Sequence, residues 1–263
     1  MTTDNSENLV LRSDRDGVTT LTLNRPDQYN ALSEEMIQAL QSRLTEIAED
    51  DGVRVVILAA NGRAFCAGHD LKQMRGNSEQ DYFRQLFADC GKLMTSIINL
   101  PQPVIARVHS IATAAGCQLV ASCDLAIASE KARFAVSGIN VGLFCATPSV
   151  ALARNIGRKK ALEMLFTGEF ITAAEAEREG LINRAVADDQ LDQTIERLAR
   201  SICDKSSIAI RNGKAMFYQQ LEMGVNDAYQ LASDSMACNM MWDDSKEGID
   251  AFMQKRAPEW KHK

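Results

Sequence analysis

The sequence predicts an α/β core followed by an all-helical C-terminal region, on three observations. Residues 53–60 form a β-branched, apolar run of strand length. Asn61-Gly62 ends that run, and the small residues Ala64, Cys66, Ala67 and Gly68 lead into a helix for which Asp70 is a good N-cap. The same grammar recurs at 103–109, where another buried strand is followed by small residues at 112–118 and a helix over 119–123. From Pro148 onward the periodicity turns helical, in segments near 149–155, 158–166, 172–179, 188–203, 206–221, 224–241 and 244–255.

The remaining elements follow in order. Residues 9–12 and 18–23 read as a hairpin around Asp14-Arg-Asp-Gly17, and 32–49 as an amphipathic helix with Ser33 as its cap. A long helix over 79–99 stops before Pro101, and 124–129 reads as a third strand. Residues 132–148 are rich in small side chains and hold one short strand at Phe134. No low-complexity linker divides the chain.

The bulk properties narrow the function classes. At 263 residues, with 46% hydrophobic and 24% charged side chains, the chain can bury a sizeable core. A net charge of −6 argues against nucleic-acid and anionic-membrane partners, so an anionic ligand needs a local basic cluster. No apolar run approaches the length of a membrane span. Seven cysteines, an odd number with no CxxC pair, read as buried apolar residues in a reducing compartment. Residues 1–8 are polar and acidic, without the pattern of a secretory or transit peptide, so the expected location is cytoplasmic. The three His are too dispersed for a metal site, and neither a P-loop nor GxGxxG occurs.

The chemistry concentrates at the two strand-to-helix junctions. N–H groups at a helix start are unpaired and carry partial positive charge. Small residues there either permit tight packing or let a ligand touch the backbone. The recurrence favours the second reading, because two such junctions can aim two N–H groups at one oxygen, an oxyanion hole. His69 places its N–H at the first junction, and its side chain is open to a polar or a catalytic role. Arg63 and Lys72 flank that loop and, with Arg25, could hold phosphates. Gln118 hydrogen-bonds but cannot act as a general acid or base. Cys117 and Cys145 read as buried apolar residues ahead of reactive thiols. His109 reads as structural, and Asp124 as a cap or turn residue.

Several ordered motifs carry a family resemblance over nearly the whole chain. They are Leu23-Asn-Arg-Pro26 with Asn30-Ala-Leu32, Ala64-Phe-Cys-Ala-Gly-His-Asp-Leu71, Ala115-Gly-Cys-Gln-Leu119, Thr167-Gly168, and Glu247-Gly-Ile-Asp-Ala-Phe-Met-Gln-Lys-Arg256. The chain resembles the enoyl-CoA hydratase/isomerase (crotonase) superfamily. Its Ala-Ala-Gly-Cys-Gln118 and Asn-Val-Gly-Leu-Phe-Cys145 strings resemble the mitochondrial enoyl-CoA hydratase domain-containing branch.

The resemblance implies a crotonase-like ββα spiral core over 1–200 and a helical trimerisation region over 201–263. It implies an acyl-CoA substrate, with coenzyme A arriving as part of that substrate, no bound cofactor or metal, and a homotrimer or dimer of trimers. The N–H groups of His69 and Ala115 become the two oxyanion donors, with Ala115 standing where Gly is usual. Ala67 offers backbone contact to adenine, and Arg25, Arg63 and Lys72 fall at or near CoA-phosphate positions. Gln28, Gly68, Asp70, Leu71 and Leu143 join the CoA or substrate set, while Phe252 and Lys255 reach CoA from a neighbouring subunit's tail.

The two glutamates that hydratases of the family use to handle water fall on Gln118 and Gly138, neither of which titrates. Such groups contribute factors of roughly 100 to 10,000 each. The implied function is therefore an acyl-CoA enzyme of hydratase/isomerase type that stabilises a thioester enolate. The alternatives are decarboxylation of a malonyl-type CoA thioester, where the tyrosine position of such enzymes falls on Cys145, or non-catalytic acyl-CoA binding.

Overall fold

The computed structural model describes residues 9–262. Residues 1–8, on which the leader reading rests, lie outside the described residues. The chain opens with a hairpin of β1 (Val10–Arg15) and β2 (Val18–Leu23). The first strand runs past residue 12 because Asp16 and Gly17 alone make the reversal, at φ 51° and 78°. A two-residue turn of that hand matches the twist of the flanking strands. Ser33 caps α1 (Glu34–Ala48), its hydroxyl accepting from the Met36 N–H at 3.3 Å. Met36, Ile37, Leu40, Leu44 and Ile47 then fall on one buried face.

The next elements are β3 (Val55–Ala60), β4 (Ala64–Cys66), α2 (Leu71–Arg75), α3 (Gln80–Asn99), β5 (Val104–Val108), β6 (Ile111–Thr113), α4 (Ala115–Ser122), β7 (Leu125–Ser129) and β8 (Arg133–Ala135). Strands β3, β5 and β7 pair in parallel in one sheet, while β4, β6 and β8 pair in parallel in another. Each pass of the chain therefore lays a strand in each sheet, and the first two passes end in α3 and α4, a ββα spiral. Two short strands, β9 (Ile171–Thr172) and β10 (Arg184–Val186), complete sheet orders β4-β6-β8-β9 and β1-β2-β3-β5-β7-β10.

The helical half holds α5 (Ala146–Asn155), α6 (Arg158–Thr167), α7 (Ala173–Glu179), α8 (Leu191–Cys203), α9 (Ser207–Leu221), α10 (Val225–Met241) and α11 (Asp243–Gln254). α5 starts before Pro148 because that residue sits in the first turn, where a missing N–H costs no helical bond. Among the described residues no helix is long and apolar enough to cross a membrane.

Both faces of the larger sheet are covered. Val55, Ile57, Ile105 and Ile127 pack against Leu191, Ile195 and Ala199 of α8, while Val56, Leu58, Val104 and Ala106 face the main core. α8 carries the sheet packing to its last residues, Ile202 and Cys203. Beyond it, α9 and α10 contain no fully buried residue.

One polar anchor fastens α9 to the core. The Lys214 ammonium donates to the carbonyls of Ile97 and Gln102, each at 3.0 Å, and to Asp124 Oδ2 at 2.6 Å. Tyr218 donates to Asp124 Oδ1 at 2.9 Å, and the Val104 N–H donates to Asp124 Oδ2. Burial pushes the Lys214 pKa down, opposed by Asp124. All three ammonium protons are nonetheless spent, so this lysine is charged and structural. Asp124 is therefore an anchor point, beyond the cap or turn role read from sequence. Lys214→Met leaves that carboxylate uncompensated, with an expected loss of about 3–5 kcal/mol. Denaturant unfolding with hydrogen exchange tests this: α9 amides should lose protection before those of β5.

Candidate active site

The first junction is shaped by a bridge. The Leu32 N–H donates to the Gly68 carbonyl at 2.7 Å, and the Asp70 N–H donates to the Leu32 carbonyl at 3.3 Å, pairing Leu32 with His69 in parallel. Such a bridge uses the peptide groups on either side of His69, so the N–H of His69 itself faces the opposite way.

The second junction starts α4. Ala114, at φ 50° and ψ −122°, turns β6 directly into the helix without a side-chain cap. A non-glycine residue held there stores about 1–3 kcal/mol of strain. The first helical bond runs from the Gln118 N–H to the Ala114 carbonyl at 3.1 Å. The N–H groups of Ala115, Gly116 and Cys117 therefore precede the helical ladder, at the positive end of the helix.

Two glycines bring the junctions into contact. Gly68 has φ +92°, and a Cβ there would lie 2.8 Å from Ala114 Cβ and 3.3 Å from the Ala115 nitrogen. A Cβ on Gly116 would run into the Cys66 carbonyl. The absence of these two methyls lets the loop ending in His69 lie against the start of α4.

The wall beside them comes from β8 and its exit. Thr113 Oγ1 and Ser137 Oγ share a hydrogen bond of 2.7 Å, which holds the Gly138 turn next to β6. The Gly138 N–H donates to Cys145 Sγ at 3.3 Å. A Cβ on Gly138 would sit 2.7 Å from that sulfur and 2.6 Å from the Leu143 carbonyl oxygen. The thiol thus occupies the space where a side chain on residue 138 would begin. Burial raises the pKa values of Cys145 and Cys117, the latter to about 12, so both stay thiols at neutral pH. Gly138→Glu is expected to destabilise the fold by about 1–3 kcal/mol through overpacking and to add no hydratase activity. Pairing it with Cys145→Gly should recover part of the melting temperature, which calorimetry of the two variants would show.

Gln118 lies one turn into α4, 4% exposed, with its Oε1 buried and unpaired among the described residues. It lines a cavity of about 1470 Å³ between α3, α4, α5 and α9, walled by Met94, Ile98, Val150, Phe217 and Leu221. An amide oxygen left without a partner costs about 1–3 kcal/mol, which a water or a ligand group entering the cavity would offset.

The expected CoA residues divide into engaged and open groups. Arg25 donates to Asp70 Oδ2 at 2.8 Å, and Asp70 Oδ1 caps α2 through the N–H groups of Lys72 and Gln73. Burial raises the Asp70 pKa, but the bonds from Arg25 and the helix outweigh it and hold the carboxyl below its usual value. Arg25 is thus tied into the junction. Gln28, Arg63, Leu71 and Lys72 are exposed. The Ala67 N–H is occupied by the Tyr29 carbonyl at 3.0 Å. Leu143 is 43% exposed beside the Gly138 turn. Phe252 and Lys255 end α11, and no hydrogen bond or ion pair among the described residues ties them to the junctions.

Sequence reading missed the ring beneath His69. The imidazole packs edge-on against Phe87 of α3, with centroids 5.4 Å apart. The spacing of Phe83 and Phe87, one helical turn apart, was the available signal. His109, read from sequence as structural, has its Nε2 2.9 Å from the Gly62 carbonyl.

Comparisons with known proteins identify the family and the fold. The enoyl-CoA hydratase/isomerase family model matches residues 13–263. The rat enoyl-CoA hydratase domain-containing protein 3, mitochondrial, is 48% identical over 94% of this chain and 83% of its own length. A crystal structure of enoyl-CoA hydratase from Mycobacterium smegmatis superposes with a TM-score of 0.95, at 57% identity, covering 96% of this chain and 98% of that one. The human enoyl-CoA hydratase domain-containing protein 3 superposes at 0.94, with 46% identity over 96% of this chain and 100% of its own. The chain belongs to the enoyl-CoA hydratase/isomerase family.

Proposed function

We propose that the protein binds acyl-CoA thioesters and stabilises a thioester enolate between the N–H groups of His69 and Ala115. The observation that supports this reading is the contact of the two junctions, a Cβ on Gly68 lying 3.3 Å from the Ala115 nitrogen at the start of α4, with the Leu32–His69 bridge drawn on the peptide groups either side of the His69 N–H. The nucleotide end of coenzyme A then lies over Arg25, Gln28, Arg63, Ala67 and Lys72. Phe252 and Lys255 close that site on a neighbouring subunit in a homotrimer or dimer of trimers. Support for assembly comes from exposed Phe217, Leu221, Val225, Tyr229 and Phe252, the last 85% exposed, on helices that bury little. The cytoplasmic expectation finds no support among the relatives: the name of the rat relative places that protein in mitochondria.

The reaction is of hydratase or isomerase type, with proton-handling groups other than side chains at 118 and 138. A second reading is favoured by the same two residues. Loss of carbon dioxide from a malonyl-type thioester delivers an enolate with no proton to abstract, so the amide of Gln118 and the bare Gly138 would be no handicap. A panel assay decides: crotonyl-CoA and longer enoyl-CoAs for hydration, 3-enoyl-CoAs for isomerisation, malonyl-type thioesters for carbon dioxide release. Turnover of one class identifies the enzyme. Calorimetric binding with no product across the panel identifies an acyl-CoA-binding protein, and no binding at all overturns the proposal.

A further inference from the structure

Beneath the oxyanion junction lies a polar side chain for which the fold provides no use. The His69 imidazole is largely buried against Phe87, and both ring nitrogens are buried with no hydrogen-bond partner among the described residues. Buried polar groups are almost always paired, and leaving one unpaired costs about 1–3 kcal/mol. A purely structural aromatic filler at this position would avoid that cost. The ring is attached to the same residue whose N–H is proposed to hold the thioester oxygen, so its nitrogens lie within one side chain's reach of that N–H.

We propose that His69 serves the site twice, its N–H holding the thioester oxygen and its imidazole acting as the base at the neighbouring α carbon, the part that no carboxylate at 118 or 138 can take. This rests on the acyl-CoA reading above. One ring nitrogen, using its lone pair, takes the α proton. The electron pair of the broken C–H bond becomes the carbon–carbon double bond of the enolate, and the negative charge passes to the oxygen held by His69 and Ala115. The imidazolium then returns a proton to carbon. No oxidant or further reactant is needed. The ring must be neutral to begin, and burial favours that form by pushing its pKa below the ordinary histidine value, opposed by the Leu32 carbonyl, which is itself already taken by the Asp70 N–H. The charged groups around it do not reverse this. Asp70 is committed to Arg25, and the α1 carboxylates Glu34 and Glu35 lie towards Tyr82 on α3.

Exchange of the α protons of butyryl-CoA in deuterated buffer, followed by proton NMR, tests the base without knowledge of the full reaction. Wild-type protein should catalyse exchange with a rate that falls as pH drops through the depressed imidazole pKa. His69→Ala keeps the N–H and should still bind butyryl-CoA by calorimetry, with exchange reduced roughly 100-fold or more. His69→Gln, which restores bulk but no base, should be equally slow. Exchange that survives in His69→Ala, or wild-type protein that binds butyryl-CoA without exchange or without the acid limb, overturns the proposal while leaving the acyl-CoA reading intact. Wild-type protein that does not bind butyryl-CoA overturns both.

Discussion

Gly116→Ala should be among the most damaging single-methyl changes in this protein. The added Cβ meets the Cys66 carbonyl of β4, which is backbone and cannot rotate aside. Either α4 lifts away from β4 or the junction strand shifts, and both moves disturb fully buried surroundings, including Cys66 and Cys117. The expected loss is at least about 3 kcal/mol, the upper range for overpacking, read as the shift in urea midpoint. The variant should also lose acyl-CoA binding at temperatures where it remains folded, because Ala115 moves with the helix. A midpoint within experimental error of wild type would mean that β4 and α4 are not packed as described.

The second large effect is on chemistry. His69→Pro deletes one N–H from the proposed oxyanion pair, and loss of one such donor costs about 100- to 1,000-fold. The loss should appear in α-proton exchange and in turnover of whichever thioester the panel identifies. The two His69 variants separate two roles: alanine removes the ring and spares the N–H, while proline removes both. Proline should therefore fall below alanine. Equal activity in the two variants would remove the N–H of His69 from the mechanism.

The site was legible in the sequence to the extent that it is made of backbone. Small residues between a strand and a helix, repeated twice, are visible without coordinates, and Asp70 and Ser33 cap the helices that their residue types suggest. The strands β4, β6 and β8 were legible only as loops or as a single aromatic, because three residues are too short to display alternation. Their pairing is nevertheless what stacks the second sheet and brings Gly68 to Ala115. The positive φ of Ala114 was equally hidden, since alanine gives no sign of a conformation that favours glycine.

The side chains around the site were less legible. Lys214, Asp124 and Tyr218 are far apart in sequence and meet only when α9 folds back on the core. Arg25 and Asp70 were assigned separately to ligand contacts, whereas the fold pairs them with each other. At residue 138 the sequence signalled a missing carboxylate, but the reason a carboxylate cannot simply be restored, the Cys145 sulfur in its place, required the packing. Contacts of this kind depend on long-range closure, and no local propensity encodes them.

The central claim is that the His69 and Ala115 N–H groups hold a thioester oxygen. The most direct measurement is the carbonyl carbon-13 resonance of butyryl-CoA, labelled at the thioester carbon, bound to the protein. Two hydrogen bonds to the oxygen should polarise the carbonyl and move the signal downfield on binding, and His69→Pro should bring it back towards the free value while some binding remains. A bound ligand whose carbonyl resonates at the free position in the wild-type protein would contradict the account.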